Sequence, residues 1–246
     1  MPFVFDIPTA AVPVSASAQR FPVHRIYCVG RNYVEHAQEM GHSGREAPFF
    51  FMKPADAVLP VPHGTVGSMP FPGMTRDLHH EIELVVALGS GGDDIAVADA
   101  MRHVWGYAIG LDLTRRDLQT AAKKRGRPWC AAKGFDRSAP IGPIHPAAEV
   151  GDPGRAAITL AVNGVVRQSA RVDQLIWNVA EIIAHLSTFY TLQAGDLIFT
   201  GTPAGVAAVR AGDLLEGRIG GLGQLSLRIG ENGGAHRRAD AMGALS

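Results

Sequence analysis

HHEIELVVALG, residues 79–89, carries two glutamates one residue apart inside an otherwise apolar run. A β-strand puts alternate side chains on one face, so Glu81 and Glu83 point the same way while Ile82 and Leu84 point into a core. Two like charges on one face of an apolar strand repel and are costly to desolvate. A hard divalent cation removes that objection, because Mg²⁺ or Mn²⁺ takes oxygen ligands and commonly a few carboxylates. A solvent-facing polar edge on an amphipathic strand accounts for the same local pattern, and the alternation alone does not choose between the two.

A second stretch adds an acid. WGYAIGLDLTRRDLQ (105–119) starts small, apolar and β-prone and reaches Asp112. Ala108, Gly110 and Asp112 share a face, and the two small residues allow something to approach closely. Residues 114–124 read as a short helix or turn carrying Arg115, Arg116, Asp117 and Gln119. An acid ending one apolar strand and an E-x-E on another supply the parts of a three-carboxylate site, although spacing alone does not bring them together.

At 246 residues and 46% hydrophobic, the chain suits one large catalytic domain with a substantial core. We read 1–20 as an N-terminal arm, 21–230 as the domain and 231–246 as a tail. Lys plus Arg and Asp plus Glu each total 23, which is not the basic footprint of a nucleic-acid binder. No apolar run approaches the roughly 18 residues of a membrane span, and the start lacks a signal pattern, so a soluble cytoplasmic protein is expected. Cys28 and Cys130 have no metal spacing and are expected to be small buried residues rather than a disulfide. With 29 Gly and 16 Pro the chain is rich in turns, which favours a β-rich fold.

Strands are expected at 21–29 and 48–54, a short helix at 31–40, a long loop at 60–79 and a helix near 97–103. ITLAVNGVVRQS (158–169) is a hairpin with Asn163-Gly164 at its turn. Leu175, Ile176, Val179, Ile182, Ile183 and Leu186 recur at helical spacing, predicting one longer helix near 173–189 with Asp173 as its N-cap. DLIFTGTPAGV (196–206) reads as a strand running into a Gly/Pro turn, and short strands continue to about residue 229.

These segments resemble the fumarylacetoacetate hydrolase family, in particular its short members that act on acylpyruvates such as fumarylpyruvate. The matching stretches, in the family's order, are CVGRNYVEHAQEMG (28–41), PFFFMKPADAV (48–58), HHEIELVVALG, GYAIGLDLTRRDLQ, KKRGRPWCAAKGFD (123–136) and GDLIFTGTPAGV (195–206). The resemblance implies a β-rich α+β fold with a rolled mixed-sheet core, usually a homodimer, and a divalent-metal hydrolase acting on a small β-diketo acid. It assigns the metal, Mg²⁺ with Mn²⁺ or Ca²⁺ as alternatives, to Glu81, Glu83 and Asp112.

Cleaving such a substrate requires water to attack the distal acyl carbonyl and pyruvate to leave as its enolate, whose charge a Lewis acid stabilises. Three carboxylates on a dication leave one negative charge, so an anionic substrate needs cations nearby. Lys133 is the candidate partner for the enolate or carboxylate, and Arg31 a candidate grip on a substrate carboxylate, with a surface ion pair as its ordinary alternative. His36 and Glu39 lie three apart, on one face if helical. The resemblance makes them a His–Glu dyad serving as general base for water. Gln119 and Thr202 are candidate donors to the oxyanion or substrate carboxylate. His79 and His80 abut the glutamates, but an oxygen site does not require them. Lys53 is read as a pocket or buried structural lysine, and the run 123–127 as a solvated loop or a lid. Decarboxylation of oxaloacetate, or another lyase or isomerase reaction on a 2-oxo acid, would use the same site without attacking water.

Overall fold

The computed structural model describes residues 3–34 and 46–231. His36, Glu39 and most of the helix expected over 31–40 lie outside the described residues. The main sheet is built from β1 (Ile26–Gly30), β2 (Phe49–Lys53), β3 (Val58–Pro60), β4 (Ile82–Leu88), β5 (Val104–Leu111), β6 (Ala139–Ile141) and β7 (Leu197–Phe199). Their spatial order is β2-β1-β7-β4-β5-β6-β3, with a short strand at His145–Pro146 added beside β5. The pairs β1/β7 and β3/β6 are parallel and the others antiparallel, a mixed curled sheet.

In the middle of this sheet, β4 is buried on both faces. Ile82, Leu84, Val86 and Leu88 enter the larger core, as the alternation predicts. Val85 and Ala87, on the face of Glu83, enter a second core with Val12, Phe21, Ile26 and Phe199. The solvent-facing alternative for the E-x-E pair is thereby excluded: Glu81 is 6% and Glu83 2% exposed. Within residues 1–20, Ala11–Pro13 pairs antiparallel with Arg20–Pro22 and inserts Val12 into the second core.

A five-stranded sheet covers the larger core, in the order Val165–Arg171, Ala157–Val162, Leu214–Ile219, Gly223–Gly230 and Val66–Pro70. Its hairpin turns at Asn163 and Gly164, both with positive φ, 50° and 78°, as a two-residue type I′ turn requires. Val66–Pro70 falls where a loop is expected. It is an edge strand, parallel to Gly223–Gly230, formed by tertiary pairing in a stretch of low β-propensity.

Three helices matter below: α1 (Arg116–Lys124), α2 (Cys130–Lys133) and α3 (Val179–Ser187). The long helix starts at Val179, later than its apolar spacing suggests. Asn178 and Glu181 form a reciprocal capping box, whereas Asp173 pairs with Arg171. Residues 175 and 176 are instead held against the chain at Asn32 and Tyr33. Cys28 is buried and Cys130 exposed, so the expected burial holds for only one of these two free thiols.

Close approach at Gly110 is real, but the approaching groups are protein. Gly110 lies directly across from Glu83, and a Cβ there would come within 2.5 Å of both Phe199 and Val85. Gly110→Ala therefore overpacks the second core, and a loss of about 1–3 kcal/mol is expected. Urea unfolding checks this, and an unchanged midpoint would contradict it.

Candidate active site

Glu83 stands on β4, Glu81 immediately precedes that strand and Asp112 immediately follows β5. The β4–β5 ladder continues one step beyond the strands, through Asp112 N–H donating to the Glu81 carbonyl at 2.9 Å. That step brings the third acid beside the first. Each residue offers an oxygen within 4.8 Å of the others' oxygens, and all three are buried.

Buried like charges at this separation need compensation. Lys133, on α2, donates from Nζ to Glu81 Oε2 at 2.9 Å and to Asp112 Oδ2 at 2.6 Å. Burial alone would lower its pKa, but Asp112 and Glu81 outweigh that and hold it above the ordinary lysine value. Lys133 is thus a fixed ammonium donor. Lys53, on β2, lies 2.8 Å from Asp112 Oδ1 and donates to the Leu113 and Lys133 carbonyls. It is enclosed and does not face the cavity, so its structural reading stands. Arg116, on α1, donates to Glu81 Oε1 and to Gln119 Oε1.

Glu83 is placed differently. Its Oε2 accepts from Gly201 N–H at 2.7 Å, but burial, followed by the fields of Asp112 and Glu81, pushes its pKa well above the usual carboxylate range. Asp112 Oδ1 is a buried oxygen that makes no hydrogen bond despite its ion pair with Lys53. An all-carboxylate set that includes a buried carboxylate whose charged form is disfavoured fits a hard divalent cation. Glu81, Glu83 and Asp112 would hold it.

Glu81, Glu83 and Lys133 open onto a cavity of about 380 Å³, part of it open to solvent. Arg31, Gln119 and Thr202 also line it. With its carbonyl oxygen engaged by Arg116, Gln119 is left with its amide N–H groups to donate. Thr202 Oγ1 accepts from Gln168 Nε2 at 2.8 Å and keeps its own hydrogen for donation. Arg31 makes no ion pair among the described residues, and its guanidinium lies over the Phe49 ring. Phe49, Phe51 and Trp129 form an aromatic wall.

Neither histidine belongs to the carboxylate cluster. His79 bonds Asp77 at 2.8 Å. His80 bonds Gln168 Oε1 at 2.9 Å, and burial pushes its pKa down to about 4. Three site residues were not singled out from sequence: Arg116, Lys123 and Gln168. Arg116 and Gln119 sit three apart on one helix, a spacing that could have paired them. Gln168 reaches from the second sheet to the Ile82 N–H, between the two glutamates, and to Thr202, a connection no local pattern announces.

Fold and cluster together define an enzyme site built on three inward carboxylates able to hold a divalent metal. Residues 25–230 match the fumarylacetoacetate (FAA) hydrolase C-terminal family. The chain belongs to this fumarylacetoacetate hydrolase family. It is 53% identical to fumarylpyruvate hydrolase from Pseudomonas aeruginosa, whose structure is in complex with Mn²⁺ and pyruvate. That match has a TM-score of 0.92 and covers 94% of this chain and 100% of that one. It is also 41% identical over 204 residues to the mitochondrial oxaloacetate tautomerase of Rattus norvegicus, covering 83% of this chain and 90% of the relative. Mitochondrial oxaloacetate decarboxylase of Dictyostelium discoideum is 39% identical over 198 residues, 80% of this chain and 89% of the relative. Among the described residues no helix is long and apolar enough to cross a membrane.

Proposed function

We propose that this chain is a metal-dependent hydrolase that cleaves the C–C bond of an acylpyruvate, with fumarylpyruvate, giving fumarate and pyruvate, as the favoured substrate. The observation that carries this reading is the buried Glu81–Glu83–Asp112 cluster opening onto a cavity with further cationic and aromatic walls. The similar fumarylpyruvate hydrolase, in complex with Mn²⁺ and pyruvate, supports it. A bound divalent ion, Mg²⁺ in this proposal, supplies Lewis-acid stabilisation of the negative charge that develops on departing pyruvate.

The protein's own groups do the rest. The Lys133 ammonium donates to the pyruvate end. Gln119 and Thr202 donate to the acyl oxyanion, and losing one such donor costs about 10²–10³ in kcat. Arg31 grips a carboxylate, and His36, oriented by Glu39, takes a proton from the attacking water. The electrostatics suit an anionic substrate. Glu81, Glu83 and Asp112 are matched in number by Lys53, Lys133 and Arg116, so a dication would make the cluster net positive.

A second reading is oxaloacetate tautomerisation or decarboxylation, the activities named for the rat and Dictyostelium relatives. A panel of acylpyruvates and oxaloacetate, assayed with and without EDTA, separates the two. Loss of diketo-enol absorbance with fumarylpyruvate, abolished by EDTA and restored by Mg²⁺ or Mn²⁺, is expected. Turnover of oxaloacetate alone would favour the second reading, and full activity in EDTA would overturn both.

A further inference from the structure

We propose that Lys123, together with Arg31, forms a subsite for the second carboxylate of a dianionic substrate at the aromatic end of the cavity. This deepens the acylpyruvate reading and rests on it.

The cations around the cavity divide into two sets. Lys133 and Arg116 are held by Glu81, and Lys133 also by Asp112. Arg31 and Lys123 line the same cavity and make no ion pair among the described residues. Arg31 has in addition a buried Nε with no hydrogen-bond partner. Its backbone is left-handed, φ 55°, a costly conformation for a non-glycine residue.

Both cations rest on neighbouring rings. The Arg31 guanidinium lies 4.9 Å from the Phe49 centroid and Lys123 Nζ lies 5.1 Å from that of Trp129. The two rings meet edge to face at 5.4 Å. Lys123 is an exposed residue at the rim whose ammonium faces inward over Trp129. Burial, followed by repulsion from Arg116 and Arg31, lowers its pKa to about 8 against the opposing pull of Glu81. A guanidinium and an ammonium without ion pairs among the described residues, each over one of two edge-to-face aromatic rings, suit a carboxylate at the end of an unsaturated chain. Fumarylpyruvate carries such a group at the end opposite its pyruvate carboxylate.

The test compares two unhydrolysable 2-oxo acids of the same chain length, 2-oxoheptanedioate and 2-oxoheptanoate, which differ only in the distal carboxylate. Their affinities for the Mn²⁺-loaded protein are measured by titration calorimetry. Wild type should favour the diacid about tenfold to a hundredfold, the value of one charge-assisted hydrogen bond. Lys123→Met should bring the ratio close to one, and Lys123→Arg should keep most of it. Equal affinities in wild type, or an undiminished preference in Lys123→Met, would overturn the subsite. Hydrolysis of fumarylpyruvate by the wild type, measured in parallel, bears on the acylpyruvate reading alone.

Discussion

Glu83→Gln should abolish metal-dependent turnover while leaving the metal-free protein at least as stable as wild type. Lewis-acid stabilisation is worth several kcal/mol, so a fall in kcat of about 10²–10³-fold or more is expected even at saturating metal. The stability side follows from burial. Glu83 is enclosed beside two other carboxylates, and burial followed by their fields holds its pKa well above the ordinary 4.5. A group whose folded pKa is raised contributes stability below its unfolded pKa and loses it as pH rises toward the folded value. The metal-free wild type should therefore lose Tm as pH rises above about 4.5. Glutamine keeps the acceptor for Gly201 N–H but cannot ionise, so the variant's Tm should be flatter over that range. Thermal scans in EDTA from pH 5 to 8, with metal content and kcat at each step, check both halves. Retained activity would remove Glu83 from the metal site, and identical pH slopes would refute the buried-charge account.

His36→Ala should separate hydrolysis from decarboxylation. Acylpyruvate cleavage needs an activated water, and a general base is worth about 10²–10⁴-fold, so that reaction should collapse. Oxaloacetate decarboxylation needs charge stabilisation at the same pyruvate end but no water, so any such activity should survive within a few-fold. Steady-state rates on both substrates decide the matter. Equal losses would make His36 a binding or structural group, and no loss on the acylpyruvate would require another base. Glu39→Gln should follow the same pattern more weakly, because in the proposed dyad its part is to orient the imidazole.

The carboxylate cluster was legible because strand alternation is local. Glu81 and Glu83 share a face wherever that strand goes, and Asp112 ends the next apolar strand. Their convergence needed the antiparallel register of β4 and β5, which sequence spacing does not encode. The helix near 179–187 was legible from apolar periodicity, but its start was not. Asn178 with Glu181 made the stronger cap, and the preceding residues were drawn off to Asn32 and Tyr33. Val66–Pro70 was missed because only its partner makes it a strand. Gln168 and Lys123 were missed for a related reason. The first acts across two sheets, and the second sits in a basic run that reads as ordinary solvated surface until Trp129 is placed beneath it.

Gln168 also divides the labour of the cavity. Its single amide fastens the Ile82 backbone between the two glutamates and the Thr202 hydroxyl, drawing the acidic floor and the Gly201–Thr202 turn into one unit anchored in the second sheet. The aromatic wall comes from elsewhere: β2 and the stretch joining α1 to α2. If the proposed reading holds, substitutions at Phe49, Lys123 or Trp129 should therefore change which acyl chain is admitted while leaving the Gln168 tie in place, whereas Phe51 lies 5.0 Å from the Lys133 ammonium and links wall to floor. A scaffold partitioned in this way can diversify its substrates one wall at a time.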